Sequence, residues 1–371
     1  MNSLLKGTVA AACLLATLGG VAHAGGFSRG SADTDILFED GNFNMRAGVT
    51  YVSPTRKFSS GLPGAEGLVG TSYTDDYAIP SMAIKLNVSD NFRCAGTMVD
   101  NNGGSATYAV PKPSGKLEED FTTNEKALTC GVKFDVGKGS IWLLGGGYVE
   151  DFDYNRVNAT TTPGVMAYLR LSGEEYGYRI GAAYTIPEIA FRAQVMYRSG
   201  TSYGATGTLS IPAISTTVPA TGTGNLPQSV EAKVQSGIAP GWLAFGSVKW
   251  MDWSVQKNLL VESPIKDSDD VYNWKDGWTV TGGIGHAFTD RISGLVSLTW
   301  DSGVNTGYDL SSDTYTLGVG ASLKDNLGGE LRAGVGYSYL TSAEVTKGDD
   351  TGLAVKAGHA FAFNVGYNIK W

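Results

Sequence analysis

Apolar and small or polar residues alternate along this chain in runs of about ten residues, the length of a tilted strand crossing a bilayer. From Thr314 to Leu323, the residues Tyr315, Leu317, Val319, Ala321 and Leu323 alternate with Thr314, Thr316, Gly318, Gly320 and Ser322. From Leu331 to Tyr339, Leu331, Ala333, Val335, Tyr337 and Tyr339 alternate with Arg332, Gly334, Gly336 and Ser338. Ile292, Gly294, Val296, Leu298 and Trp300 do the same against Arg291, Ser293, Leu295, Ser297 and Thr299. A period of two is the strand period. Strands of soluble sandwiches run to about five or six residues, so these runs are too long for that class. Trp274, Trp278, Trp300, Tyr337 and Tyr339 stand at run ends, where barrels of the outer membrane carry aromatic girdles.

The pattern predicts fourteen strands, at roughly 42–58, 75–89, 91–110, 117–136, 139–157, 166–186, 188–210, 226–239, 241–260, 272–289, 291–303, 313–324, 329–343 and 355–371. Their connections alternate between short turns, such as Ser89-Asp90-Asn91, Gly137-Lys138 and Ala239-Pro240-Gly241, and longer polar loops, such as Pro212 to Asn225 and Pro264 to Asn273. Short periplasmic turns and longer external loops fit an antiparallel transmembrane β-barrel. An even strand number places both ends on the periplasmic side. The sheet has to close, because hydrocarbon offers an open edge no hydrogen-bond partner. The final run, Phe361, Phe363, Val365, Tyr367, Ile369 and Trp371, ends on an aromatic. Such an end resembles the assembly signal read by the barrel-assembly machinery.

Composition narrows the choice further. Glycine supplies 51 of 371 residues, which argues against a helical enzyme. The net charge of −8 leaves no basic footprint for nucleic acid. Met1 to Ala24 reads as a signal peptide, with Lys6, an apolar stretch from Val9 to Leu18, and Ala22-His23-Ala24 before the cut. Beyond it lie a short N-terminal segment, 25–41, and the barrel, 42–371. No later run is apolar enough for a membrane helix. Cys94 and Cys130 fall in strands with the same facing; the expectation is two reduced cysteines on the apolar face, with a cross-strand bridge as the alternative.

Catalytic and cofactor chemistry is not legible. His286 and His359 stand alone in strands, without ligands at metal spacing. Gly282-Gly283-Ile284-Gly285 lies inside a strand and opens no helix, so it is no dinucleotide loop. Asp267, Asp269 and Asp270 lack the spacing of a calcium loop and read as a solvated external loop, sharing divalent cations with lipopolysaccharide at most. The expectation is a protein that is not an enzyme and takes no cofactor.

Several blocks resemble the FadL-type family of outer-membrane channels for long-chain fatty acids and other hydrophobic compounds. They are Leu171 to Tyr184, Tyr197-Arg198-Ser199, Leu226-Pro227, Trp250-Met251-Asp252-Trp253-Ser254, Trp274-Lys275-Asp276-Gly277-Trp278 and Trp300-Asp301-Ser302. Together they cover about 165–303. Gly48 to Pro54 fits the family's first strand. The resemblance implies a monomeric barrel of fourteen strands, an N-terminal hatch, and a kinked third strand that opens the wall sideways. The chain departs from the pattern at the hatch. Only Gly25 to Gly41 precede the first strand, and the family's Asn-Pro-Ala motif is missing. That puts gating by a hatch in doubt: either external loops close the lumen or the channel is more open.

The function expected is passive uptake of hydrophobic molecules such as long-chain fatty acids. Asp100-Asn101-Asn102-Gly103-Gly104 in the third strand is the candidate lateral opening, since glycine tolerates unusual backbone angles. Lys249 and Lys275 are candidate partners for a ligand carboxylate. The expected surroundings are outer-membrane lipids and lipopolysaccharide. The alternative is a general polar-solute porin, in which Arg179, Arg192 and Arg332 would line water; a structural barrel or adhesin comes third.

Overall fold

The computed structural model describes residues 26–371, so the signal-peptide reading lies outside the described residues. Fourteen antiparallel strands close into one barrel. They are β1 (Phe43–Thr55), β2 (Tyr77–Ser89), β3 (Phe92–Thr107), β4 (Lys116–Val136), β5 (Gly139–Ala159), β6 (Met166–Ile186), β7 (Phe191–Arg198 and Thr201–Ile211), β8 (Thr216–Leu226 and Ser229–Ala239), β9 (Trp242–Met251 and Asn258–Glu262), β10 (Ser268–Val271 and Gly277–Ala287), β11 (Ile292–Asp301), β12 (Thr314–Lys324), β13 (Gly329–Leu340) and β14 (Gly358–Lys370). Each pairs with its sequence neighbours, and β14 pairs with β1 from Asn44–Lys370 to Thr55–His359, which removes both edges.

The alternation is physical. Leu128, Ile180, Leu298 and Phe363 point outward and are exposed, as lipid-facing side chains are when the bilayer is absent. Thr129, Arg179, Ser297 and Ala362 point inward and are buried. Gly283 keeps its place in β10 because a Cβ there would stand 2.4 Å from the Phe245 ring.

Three expectations about strand and loop bounds change. The stretch Pro212 to Asn225, read as a loop, is mostly strand: Thr216–Leu226 pairs with Thr201–Ile211 in a tall hairpin whose turn is Pro212–Ile214. Its Thr, Gly and Pro content hid it, although threonine is a good strand former. The loop from Pro264 to Asn273 likewise contains a short hairpin strand. The run 241–260 is broken by a turn at Trp253–Val255, which drives Trp253 into the interior, 0% exposed.

Cys94 and Cys130 form a disulfide, correcting the reduced reading. The β3–β4 register sets them directly opposite, with Cα atoms 4.0 Å apart, close enough for a bridge. The residues around them, Met98, Leu128 and Val132, are exposed apolar side chains, so the shared apolar facing holds.

External loops cover the extracellular end. Phe58–Ser60, Ala343–Glu344 and Ala354–Val355 make a small three-stranded sheet. Phe58, Leu68, Tyr108, Val345 and Leu353 form an apolar core beneath it.

Candidate lumen cavity and wall gap

The N-terminal segment is short but enters the lumen. Ile36 and Leu37, in a turn of 3-10 helix at Thr34–Phe38, are 0% exposed among Ala83, Ala95, Trp142 and Leu144 of the wall. Several inward cations serve this segment. Arg46 bonds Asp33 and Glu39. Asp35 lies 3.2 Å from Arg192 and 3.6 Å from Lys233. Arg332 reaches Glu330 at 3.3 Å and Glu39 at 3.8 Å. Lys85 donates to the carbonyls of Glu39 and Gly41, each at 2.7 Å. Three acidic residues in a lumen rich in arginine give the segment fixed anchoring points, which composition alone cannot reveal.

Higher in the lumen the segment meets an aromatic cluster. The Phe27 ring lies 4.5 Å from Phe121, 4.6 Å from Trp274, 5.5 Å from Tyr272 and 6.0 Å from Trp253. Phe152 stacks on Tyr203 at 4.2 Å beside them. A cavity of about 400 Å³ opens above, under the external loops, lined by Phe27, Tyr108, Phe121, Tyr272, Trp274 and Tyr308 among others. Its aromatic rings offer apolar surface to a small hydrophobic ligand, while charged side chains, Lys112, Lys116, Glu119 and Asp350 among them, share the lining. Its cations are already engaged. Lys112 pairs with Asp350 at 2.5 Å, and Lys116 with Glu119 at 2.7 Å. Arg56 donates to Ser312 at 2.7 Å and to the Thr341 carbonyl at 2.6 Å. Asp270, expected in a solvated loop, pairs with Arg156 at 2.7 Å and with Lys116 at 3.5 Å. Asp309 is buried, which raises its carboxyl above the usual carboxylate range, and it accepts the Trp274 indole N–H.

The five residues Asp100 to Gly104 stand where the wall is irregular. β2 and β3 pair from Ser89–Phe92 up to Ser81–Val99, and there the ladder ends. Tyr77 to Pro80 stay on β1, while β3 bulges at Asn101 and continues along β4 from Asn102–Thr123. Pro80 brings no N–H to this edge. The strands meet again at Thr74–Ala106. In the gap the N-terminal segment takes over the pairing. Arg29 N–H donates to the Asn101 carbonyl at 2.9 Å, Gly30 N–H to the Asp100 carbonyl at 3.0 Å, and Gly103 N–H to the Phe27 carbonyl at 2.8 Å. The polar backbone of β3 is thereby satisfied without β2.

Lys249 lies in a smaller lumen cavity of about 70 Å³ with Asn101, Asn102, Arg179 and Arg198, its Nζ 3.2 Å from Ser31 Oγ. Lys275 is exposed just before the barrel part of β10 and lines none of these cavities. The two lysines are therefore not one site. Asn101 and Asn102 join Lys249; Gly103 and Gly104 line the upper cavity instead.

Sequence reasoning missed Glu125 and Glu150. Both are inward on long strands and 2% exposed. Glu125 takes Arg179 and, at 2.7 Å, Arg198. A carboxylate on the inward phase of a membrane strand is costly unless paired, and that was the available signal. Arg179, Arg192 and Arg332, which a porin would turn to water, are all ion-paired and largely covered.

A second irregularity lies between β6 and β7. Pairing stops above Arg179–Arg198 and resumes at Ser172–Thr206. Tyr148 O–H donates to the Ser199 carbonyl at 2.7 Å, and Ser199 Oγ accepts the Tyr178 N–H at 3.0 Å, so side chains replace the missing ladder.

Comparison with solved structures finds the same barrel. A FadL homologue of Pseudomonas aeruginosa superposes with a TM-score of 0.74 at 12% identity, over 96% of this chain and 98% of that one. The Pseudomonas putida toluene transporter TodX gives 0.66 at 11% identity, over 96% and 98%. The Ralstonia pickettii toluene transporter TbuX gives 0.64 at 11%, over 96% and 97%. At these identities the likeness speaks for the fold alone. No curated protein matches the chain by sequence. The profile of the outer membrane protein transport family (OMPP1/FadL/TodX) matches residues 39–368. With that match spanning almost all of the barrel, the chain belongs to the OMPP1/FadL/TodX family of outer-membrane transport proteins.

Proposed function

We propose that this protein carries hydrophobic molecules, long-chain fatty acids among them, passively across the bacterial outer membrane and releases them sideways into the bilayer through the gap between β2 and β3. One observation carries the reading: an aromatic cavity under the external loops lies against the stretch of wall where Gly103 and Gly104 leave β2. A permeant enters from outside, sheds water among Phe121, Tyr272 and Trp274, and moves along Phe27 toward the gap. No water-filled path is needed, so the lipopolysaccharide layer is bypassed without energy coupling. Burial of apolar surface, about 25 cal/mol per Å², supplies the affinity at each stage.

Lys249 is positioned in the lumen to take a carboxylate head group, and Lys275 to attract one outside. The upper cavity itself favours an uncharged end. Glu119, Asp269, Asp270, Asp309, Asp349 and Asp350 line it against Arg56, Lys112, Lys116 and Lys347. The chain works as a monomer surrounded by lipid and lipopolysaccharide, delivered by its signal peptide and assembled through its C-terminal strand. The porin reading is the weaker one, because Arg192 and Arg332 hold the N-terminal segment in the lumen and Arg179 is paired with Glu125 of the wall.

The experiment is uptake of labelled fatty acid and of a labelled neutral aromatic by cells lacking and then regaining the protein. Equal rates with and without it for both compounds overturn the proposal.

A further inference from the structure

We propose that Arg29 is the stopper of the gap between β2 and β3, the side chain that a permeant displaces to leave the lumen. This rests on the lateral-exit reading above and assigns its closing element.

The Arg29 backbone is pinned to β3 on both sides of the side chain, through Arg29 N–H to Asn101 and Gly30 N–H to Asp100. The side chain then runs into the space β2 has vacated. Its guanidinium carbon sits 4.3 Å over the Tyr77 ring, and Tyr77 lies on the stretch of β2, from Tyr77 to Pro80, that has left β3. Opposite, Gly103 makes room. A Cβ on Gly103 would stand 2.5 Å from Arg29 Cζ and 2.6 Å from its Nε. Beyond the bulge Gly103 pairs with Thr122, one position from the inward Phe121, so the missing side chain would have pointed to the outer face of the strand. The guanidinium therefore occupies the wall itself, and Arg29 is only 5% exposed.

The way it is held suits a part that moves. Arg46, Arg179, Arg192, Arg198 and Arg332 each touch a carboxylate within ion-pair distance. Among the described residues, Arg29 has the Tyr77 face and the more distant charges of Asp100 and Asp120. A cation on a ring face is attracted without being locked in one geometry. Leaving costs no broken ion pair, and the carboxylates of Asp100 and Asp120, on positions next to the inward Val99 and Phe121, offer the displaced guanidinium somewhere to go.

The test uses full-length protein in cells, with the uncharged fluorophore N-phenyl-1-naphthylamine as probe. Arg29→Ala and Arg29→Gln are expected to speed its uptake on the order of tenfold over the native protein. Heat-modifiable migration in gels identifies folded barrels, and rates are normalised to them. Native or slower rates for both folded variants overturn the stopper. A second variant isolates the port. In an Arg29→Ala background with Cys94 and Cys130 replaced by serine, Ala78→Cys and Gly103→Cys are bridged across the gap by a short bis-maleimide. Bridging is expected to return uptake to the rate of cells without the protein. Bridging that blocks uptake while Arg29→Ala leaves it unchanged retains the port and rejects the stopper. Bridging without effect rejects the lateral exit, and the stopper with it.

Discussion

Arg198 Nη2 lies 3.0 Å from Glu150 Oε1, and this contact ties the two irregular places in the wall together. Arg198 is the last residue of β7 before its break at Ser199, whose carbonyl accepts from Tyr148. The same Glu150 accepts from Asn101 Nδ2 at the β3 bulge, and its other oxygen accepts Thr201 Oγ1 at 2.8 Å. One buried carboxylate thus holds β3, β5 and β7 in register where both ladders fail. In an interior of low dielectric such a group is strongly held when fully paired.

Removing it is therefore expected to loosen both places. Glu150→Ala leaves Arg198 with Glu125 alone, so the loss should fall at or below the ~3–5 kcal/mol typical of a broken buried pair. Unfolding in detergent, followed by heat-modifiable migration, gives the stability. A variant as stable as the native protein would show that the network is not a structural tie.

The N-terminal segment is expected to keep ions out. Its Asp35 and Glu39 meet Arg192, Lys233, Arg46 and Arg332. Asp35→Asn with Glu39→Gln removes two of the segment's three anchoring carboxylates, leaving Arg46 to Asp33 and Arg332 to Glu330, and should free the segment. Planar-bilayer recording should then change from near silence to a steady current. Unchanged silence would mean that the external lid, and not the segment, closes the channel.

Acid should act through Asp309. Burial raises its carboxyl above the ordinary range, against the hydrogen bonds from Ser311 and Trp274. A group whose folded pKa is raised favours the folded loop below the unfolded pKa, and that contribution is lost as pH rises through the folded pKa. The Trp274 fluorescence is expected to titrate at a pH above that of a free aspartate. Asp309→Asn should abolish the titration and make the loop more resistant to protease at neutral pH. A titration that persists in Asp309→Asn assigns it to another group.

The charge balance of the upper cavity predicts selectivity. Six carboxylates against four cations should make naphthalene quench Trp274 at lower concentration than 2-naphthoate at neutral pH. Tighter binding of the carboxylate would point instead to a cation freed on binding.

The bridge between Cys94 and Cys130 closes a loop with a sequence separation of 36. Replacing both with serine is expected to cost at most about 2–4 kcal/mol, because β3 and β4 are also held by their ladder. Denaturant midpoints with and without reductant measure it, and intact mass gives the thiol count.

The sequence by itself determined the barrel. Lipid outside and a crowded interior impose one side-chain period on every strand, so Tyr315 to Leu323 or Leu331 to Tyr339 can be read without knowing their partners. The strand number was legible for the same local reason; a kinked third strand was implied by the family resemblance, with the glycine-rich run Asp100 to Gly104 as its candidate place. Only the tertiary structure decided what occupies the lumen. Arg29 meeting Tyr77, Glu39 meeting Arg332, and Glu150 joining Asn101 to Arg198 are contacts between residues far apart in the chain. A period of two says which way each side chain points, but not which of the opposite walls it will meet. That depends on barrel closure and stagger, which no single strand carries.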